Sequence, residues 1–508
     1  MDGLVARNAA LISSPRGFLT YIAGIITTLV LVRSFLFPGV GGDDGEQMVF
    51  SQYFDWGYQL RNPPLVTWLL IVIQQITGPT VFSIVLLRGL ILFAIYALSL
   101  AVALELVTDR RLAALSAGSL LMIFYVGWNT IHGFTHTSLV TAFYLAALLL
   151  ILRLGKAPTV PLRIAFGAAL GFGILAKYSF VIFAIALVIA AMFDRDKRRA
   201  MVSPWVALGV AVTLPLVLPQ FAWLAEHAPS QHLVRGNQPL DWIANLGRIV
   251  ETTLRVAAST VAFFLPFGLI WLVVFWKAVR QLPAQDIGTA HHARFLEHLF
   301  LAIAAIAFVA IAVVQSDRPR SHYLFVLVPL VPYLFLRFGA AMTDRQVRRY
   351  AALISLSGVV LIGTLVGKYF IEPLIHEDCE DHVPYDTFAD KLREAGFKRG
   401  TIFAYFHRDP LAGNLRVRFP ESRVVSAKHP GAIPPAGETP GQCLIIWPLK
   451  GAEDPKSATI RTANESRLAT KLSYEIPSKV TSASLPPWDN RRNQIGFALI
   501  EGGAGDCR

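Results

Sequence analysis

Eleven apolar runs divide the first 370 residues of the chain, at about 17–37, 81–107, 112–127, 134–153, 160–176, 179–194, 201–224, 255–277, 298–315, 322–338 and 350–370. Crossing the hydrocarbon of a bilayer takes about 20 such residues in a helix, because lipid offers no partner to an unpaired backbone amide. The chain is therefore expected to be an α-helical polytopic membrane protein with about eleven transmembrane helices. Only 16% of its 508 residues are charged and 54% are hydrophobic, whereas soluble domains carry about a quarter charged residues. The first run follows Arg7 and Arg16, is too long for the apolar core of a cleaved signal and is followed by no small-residue cleavage site, so it reads as an uncleaved span.

A net charge of +12 raises the question of nucleic acid, but the Lys and Arg residues gather in short loops between the runs and form no basic stripe with interleaved aromatics. With the N-terminus inside, eighteen of them fall in inner segments and seven in outer ones. That bias sets the orientation, and an odd number of spans leaves the tail outside.

Residues 1–370 thus form a membrane domain with a first outer loop at 38–80, and residues 371–508 a small α/β domain on the outer face. In the tail the apolar runs shrink to strand length at 401–406, 423–427, 443–448 and 495–501, after a helix-like stretch at 385–397. All three cysteines, Cys379, Cys443 and Cys507, lie there. One disulfide with one odd thiol and three free thiols are both open, and no Cys/His spacing suggests zinc.

The most informative segment is the first outer loop, LFPGVGGDDGEQMVFSQYFDWGYQLRNPPLVTWLL at 36–70. Gly41 and Gly42 break the first helix, and Asp43 and Asp44 then stand where a helix N-terminus favours negative charge. Met48, Val49, Tyr53 and Trp56 recur at helical spacing, which predicts an amphipathic helix lying in the membrane interface. Pro63 and Pro64 open a second helix, anchored by Trp68. Asp43 and Glu46, three apart, would share one helix face turned toward the outer mouth of the bundle. A carboxylate there can serve as a base, or Asp43 or Asp44 can simply cap the helix; spacing leaves both open.

The string DDGEQMVFSQYFDWGYQLRNPPLVTWL resembles the outer-loop motif of the GT-C glycosyltransferases related to protein O-mannosyltransferases and to the lipid A aminoarabinose transferase. That motif is an Asp-Glu pair, an aromatic helix ending in Trp-Gly-Tyr, and then His-Pro-Pro-Leu. The resemblance is nearest to the bacterial branch that includes the rhizobial lipopolysaccharide galacturonosyltransferases. It continues through VLLRGLILF, GILAKYSFVIF and RSHYLFVLVPLVP and reappears in DPLAGNLRVRFPESRVV.

The resemblance implies a bacterial inner-membrane enzyme that transfers a sugar from a polyprenyl-phosphate carrier, with inversion, to a lipopolysaccharide or lipid A acceptor on the periplasmic face. It makes Asp43 the catalytic base, puts Asp44 where the family usually has Glu, and assigns the carrier phosphate to Lys177. Arg61 is the second cation, because Asn62 stands where the family usually has His or Lys. Arg320 and Tyr323 resemble the Arg-Tyr pair of the lipid-phosphate pocket, with His322 a hydrogen-bonding neighbour. His136 occupies a place near an Asp of many relatives.

Arg88 lies about 10 Å below the outer surface at 1.5 Å per residue, either against the phosphate or paired with an acid of the first loop. Lys177 can alternatively snorkel to the interface. His291 and His292 read as part of a solvated inner loop. No nucleotide-binding glycine motif is present, so no cofactor and no metal are expected, and the protein is expected to act as a monomer.

A secondary transporter remains the alternative from another class, although no internal repeat with paired broken helices is visible. A polyprenyl-lipid-binding protein without chemistry is the other. The charge bias makes a direct prediction: an exported-only reporter fused after residue 370 is active, and one fused near residue 196 is inactive. A silent reporter after residue 370 would reverse the orientation and remove Asp43 from the outer face.

Overall fold

The computed structural model describes residues 9–133, 135–227, 242–281, 286–314, 321–375, 382–404, 410–426, 428–429, 432–436, 441–449, 479–484 and 492–500. The chain forms two compact units, Met1–Thr28 with Arg88–Ile362, and Leu29–Leu87 with Gly363–Arg508.

Among the described residues, eight helices are long and apolar enough to cross a membrane, from Pro15–Leu36 to Asp344–Ile375. A ninth candidate is broken, with Arg110–Met122 and Tyr125–His132 meeting at 72°. Ile123 is extended there, at φ −89° and ψ 107°, and Tyr125–Asn129 forms a single π-helical turn. Such turns commonly mark a local departure from the α-helical ladder. Val160–Ala176 and Phe180–Met192, on either side of Lys177, have only 17 and 13 residues. All the apolar runs fall on helices, but the run at 112–127 is bent, and the two around Lys177 are shorter than a straight crossing requires.

Small residues bring the helices of the first unit together. A Cβ on Gly167 would stand 2.3 Å from the carbonyl oxygen of Gly209 on the Val206–His227 helix. The Thr213 hydroxyl donates to the Gly167 carbonyl at 2.8 Å. Close backbone approach and a short polar bond of this kind hold helices together where lipid supplies no hydrophobic drive. Leu254, Val261, Leu265 and Val273 of Trp242–Gln281 remain exposed, as lipid-facing side chains should.

The second unit carries a five-stranded sheet: β1 (Gly400–Ala404), β2 (Arg423–Ser426), β3 (Gln442–Leu449), β4 (Lys479–Ser484) and β5 (Arg492–Ile500). Its order is β2-β1-β3-β5-β4. β1 pairs parallel with β2 and β3, while β5 pairs antiparallel with β3 and β4. The helix Tyr385–Glu394 precedes β1, and the helix Pro410–Arg418 crosses from β1 to β2. Gly400 has φ +148°, and a Cβ there would collide with the Gln442 carbonyl, so glycine is required where β3 joins.

The expected strands thus form one sheet, while β4 and the Pro410–Arg418 helix carry too little apolar periodicity to announce themselves. Cys443 on β3 is disulfide-bonded, to a partner outside the described residues, where both Cys379 and Cys507 lie.

The loop at 38–80 belongs to this second unit, not to a surface of its own. Its helix spans Gly42–Phe50 and buries Met48, Val49 and Phe50. Val49, Phe50 and Tyr58 share one core with Tyr385, Phe388, Leu415, Val424, Ile446 and Phe497. The amphipathic interface helix expected from Met48 to Trp56 is therefore corrected: helix ends at Ser51, and Tyr53 and Trp56 follow in irregular chain. Helical spacing specifies an apolar face but not whether lipid or protein covers it.

The second loop helix, Leu65–Thr77, starts after Pro64 as expected. Trp68 packs on Phe54 and Trp56 with centroids 4.9 and 5.1 Å apart. Its indole N–H donates to the Asp55 carbonyl at 2.8 Å. Phe54 and Trp56 stay exposed, an aromatic cluster of the kind that anchors at a membrane interface.

The junction between the loop helix and the crossover helix is as tight as backbones allow. A Cβ on Gly413 would stand 2.3 Å from the Cα of Gly45. Gly413→Ala is therefore expected to lower stability by about 1–3 kcal/mol through overpacking. A thermal melt of the detergent-solubilised protein reads this, and an unchanged Tm would contradict the contact.

Candidate active site

The helix that carries the acidic pair begins without a side-chain cap. Gly41 takes the cap position in extended conformation and makes no side-chain bond, so neither Asp43 nor Asp44 caps the helix. The two aspartates then diverge. Asp44 is buried, at 3% exposure. The Asp43 side chain is half exposed and lies 3.8 Å from an Arg61 nitrogen. Pro63 and Pro64 end the segment that delivers Arg61, with Asn62 half-buried between them.

Glu46 does not share an open face with Asp43. It is 2% exposed, and its Oε1 accepts from the Gln59 amide at 2.6 Å. Its Oε2 faces the His429 imidazole at 3.3 Å and the Lys428 ammonium at 3.6 Å. Burial by itself raises the Glu46 pKa. The hydrogen bond and charge of His429, with the charges of Lys428 and Arg61, outweigh it and hold the carboxyl at about 2, against 4.5 in isolation.

The residues that hold this loop come from far along the chain. The Gln52 amide accepts from Val424 N–H and donates to Val424 C=O, both at 2.8 Å, completing the free edge of β2 as a strand would. The Asn414 side chain accepts from Val40 N–H at 3.0 Å and donates to Val40 C=O at 2.8 Å. Gln52, Gln59, Asn414, Lys428 and His429 escaped sequence reasoning. Amide bridges leave no motif, and the adjacent Lys428 and His429 look like any basic pair in a turn.

In the first unit, Lys177 is extended at the end of the Val160–Ala176 helix. Its ammonium donates to the Thr137 hydroxyl at 2.6 Å and lies 5.5 Å from the centroid of the Tyr323 ring, within cation–π range. Lys177 and Tyr323, 146 positions apart by their residue numbers, are thus brought together. Tyr323 is half exposed, so it does not seal the ammonium away.

Arg88 is 1% exposed and donates to the Thr135 hydroxyl at 3.0 Å and the Ile131 carbonyl at 3.1 Å. It braces the break between Tyr125–His132 and Thr135–Lys156, a task the depth argument did not foresee. His136 is buried, with Nδ1 3.3 Å from the Ala176 carbonyl. Arg320 lies outside the described residues, as does the His322 side chain.

The only close His/Asp/Glu group found among the described residues is Asp194, Asp196 and His291. Asp194 is already paired with the buried Lys197 at 2.6 Å and with His291 at 3.0 Å. A cation in place of these bonds would have to displace an ammonium, and the group reads as an ion-pair network. His291 therefore belongs to the Ile287–Val314 helix and is tied down, not part of a solvated loop as its neighbourhood suggested.

The family of dolichyl-phosphate-mannose-protein mannosyltransferases matches residues 61–223. The lipopolysaccharide core galacturonosyltransferase RgtA of Rhizobium johnstonii is 25% identical over 498 residues, covering 94% of this chain and 95% of that protein. RgtB of the same organism is 26% identical over 422 residues, covering 81% of this chain and 83% of its own. The crystal structure of ArnT from Cupriavidus metallidurans bound to undecaprenyl phosphate superposes with a TM-score of 0.58 at 15% identity, covering 94% of this chain and 98% of that one.

The chain has the ArnT-like GT-C fold. The apo ArnT structure matches this chain equally well, with a TM-score of 0.58 at 16% identity. The family match begins at Arg61 and so includes Lys177 but not Asp43. The acidic pair Asp43–Asp44 lies outside that match, whereas the similarity to RgtA extends over 94% of the chain.

The depressed pKa of Glu46 has a measurable consequence. A carboxyl whose folded pKa lies below its unfolded value contributes stability that is complete above the unfolded pKa and is lost as pH falls through the folded one. The contribution of Glu46 should hold above about pH 4.5 and fade between 4.5 and 2. It is of order 3 kcal/mol for a shift of this size. In Glu46→Gln that part of the acid destabilisation is absent, and the protein is weaker at neutral pH. Acid titration of Tm in both proteins checks it; parallel curves would show that Glu46 is not held ionised.

Proposed function

We propose that this protein transfers a sugar, of the uronic acid class, from a polyprenyl-phosphate donor to a lipopolysaccharide acceptor on the periplasmic face, with inversion at the anomeric carbon. The observation that carries this reading is the end-to-end similarity to the core galacturonosyltransferase RgtA, over 94% of one chain and 95% of the other. The Cys443 disulfide agrees with an oxidising compartment for the C-terminal domain.

In this mechanism Asp43 is the general base. Its half-exposed carboxylate takes the proton of an acceptor hydroxyl as the oxygen attacks the anomeric carbon, while the bond to the carrier phosphate breaks. Asp44, the second member of the acidic pair, is buried beside it. Attack from the side opposite the leaving phosphate inverts the centre. Lys177 receives the charge that develops on the departing phosphate, because its ammonium is held by the Thr137 hydroxyl and by the half-exposed Tyr323 ring without being enclosed. Arg61, with its side chain 60% exposed, is a second cation, and the resemblance assigns Arg320 and Tyr323 to the carrier phosphate. No metal or organic cofactor enters this mechanism.

The test uses purified protein, a polyprenyl-phosphate galacturonic acid donor and core lipopolysaccharide, with the product read by mass spectrometry. Asp43→Asn keeps the shape of the side chain but removes the basic oxygen, so turnover should fall by about 10²- to 10⁴-fold while the fold survives. Lys177→Ala should weaken donor use strongly, with kcat/KM for the donor falling by at least about tenfold. Wild-type turnover in Asp43→Asn would end the assignment of the base, and unaltered donor kinetics in Lys177→Ala would leave that lysine at the interface only.

A further inference from the structure

Glu46, Gln59, Lys428 and His429 form a charge cluster beside the Asp43–Arg61 pair, and the transfer mechanism above gives it no task. The cluster is tightly built. The backbone N–H of His429 donates to Ser426 at the end of β2 at 3.1 Å, and its carbonyl accepts from Ala432 N–H at 3.0 Å. Its ring stands edge-on to Phe50 of the loop helix at 4.9 Å. The imidazole therefore reaches Glu46 from a fixed turn. Gln59, two residues before Arg61, ties the other end of the loop to the same carboxylate.

Arg61 is the shared element. Its guanidinium stands 3.8 Å from Asp43, and its charge also acts on Glu46. Two carboxylates thus draw on one arginine. Opposite charges within a few ångströms attract according to distance and local dielectric, so a buried and uncompensated Glu46 would compete with Asp43 for Arg61. Lys428 and His429 remove that competition by meeting the Glu46 charge themselves.

We propose that Lys428 and His429 of the C-terminal domain are positioning residues for the transfer, which neutralise Glu46 so that Arg61 remains with Asp43. The proposal rests on the reading of Asp43 as the base. It gives the C-terminal domain a place in catalysis without any contact to substrate. The groups that act on Glu46 are Lys428 and His429 from the turn after β2 and Gln59 and Arg61 from the far side of the loop, while Asp43 and Asp44 are the other charged groups of its own helix.

The full-length enzyme in detergent, with the donor and acceptor named above, provides the test. The readout is the acid limb of kcat/KM against pH, which reports a carboxylate base in the free enzyme. Lys428→Met and His429→Gln leave Glu46 less compensated, pull Arg61 from Asp43 and move the acid limb up, by about half a pH unit or more. Glu46→Gln releases Arg61 wholly to Asp43 and moves it down. Lys428 is 39% exposed on its side chain, so its substitution preserves the fold even where Glu46→Gln does not.

Opposite displacements in the two directions support the proposal. A merely structural role lowers Tm and the amount of active enzyme but leaves the acid limb in place in every variant, and that result overturns the proposal. Displacement of all three variants in one direction overturns it as well. Failure of the underlying reading looks different, since Asp43→Asn would then retain turnover and the wild-type enzyme would show no acid limb.

Discussion

The contact between Gly45 and Gly413 is the constraint on which the proposed site depends. A loop between two membrane spans has little apolar surface of its own, and nine residues of helix are far too few to persist alone in water. The Gly42–Phe50 helix exists because Pro410–Arg418 lies against it with no side chain between, so that Val49 and Phe50 reach the core under the sheet. On either side of it the chain is tied down, Val40 by the Asn414 amide and Gln52 by its own amide bridge to Val424 of β2. The base candidate is thus presented by a helix held by residues more than 350 positions away.

This arrangement separates the roles of three acidic residues that look alike in sequence. Asp43, Asp44 and Glu46 all fall within one turn of helix, yet one is half exposed beside an arginine, one is buried, and one is buried among cations. Desolvation alone would push the Glu46 carboxyl toward its neutral form, and only the neighbouring positive charge keeps it ionised. The ionised form is favoured only while these partners stay in place. Its value lies in specifying which loop geometry is allowed.

The first unit solves a different problem with the same economy of polar groups. Lys177 and Arg88 both stand near breaks in apolar helices, where the ladder of backbone bonds is interrupted and hydroxyls are at hand. Arg88 closes the break at 131–135. Lys177 is held by Thr137 and by the face of Tyr323. Intramembrane charges persist where such partners share the cost of leaving water.

What the sequence by itself determined was whatever depends on local chemistry and on the solvent each segment needs. The apolar runs demanded helices because lipid cannot satisfy a backbone amide, the charge bias proposed an orientation, and the order of Asp43, Arg61, Pro63-Pro64 and Lys177 carried the resemblance to the GT-C transferases, whose fold the chain has. The runs at 401–406, 423–427, 443–448 and 495–501 announced four strands by their apolar composition, and β1, β2, β3 and β5 fall on them. Only the tertiary structure decided that the loop helix packs on protein instead of lipid, that Glu46 turns away from Asp43, and that Lys428 and His429 meet it. These outcomes depend on contacts between residues 40–60 and residues 380–500, and periodicity records which face of a segment is apolar without recording what lies against it.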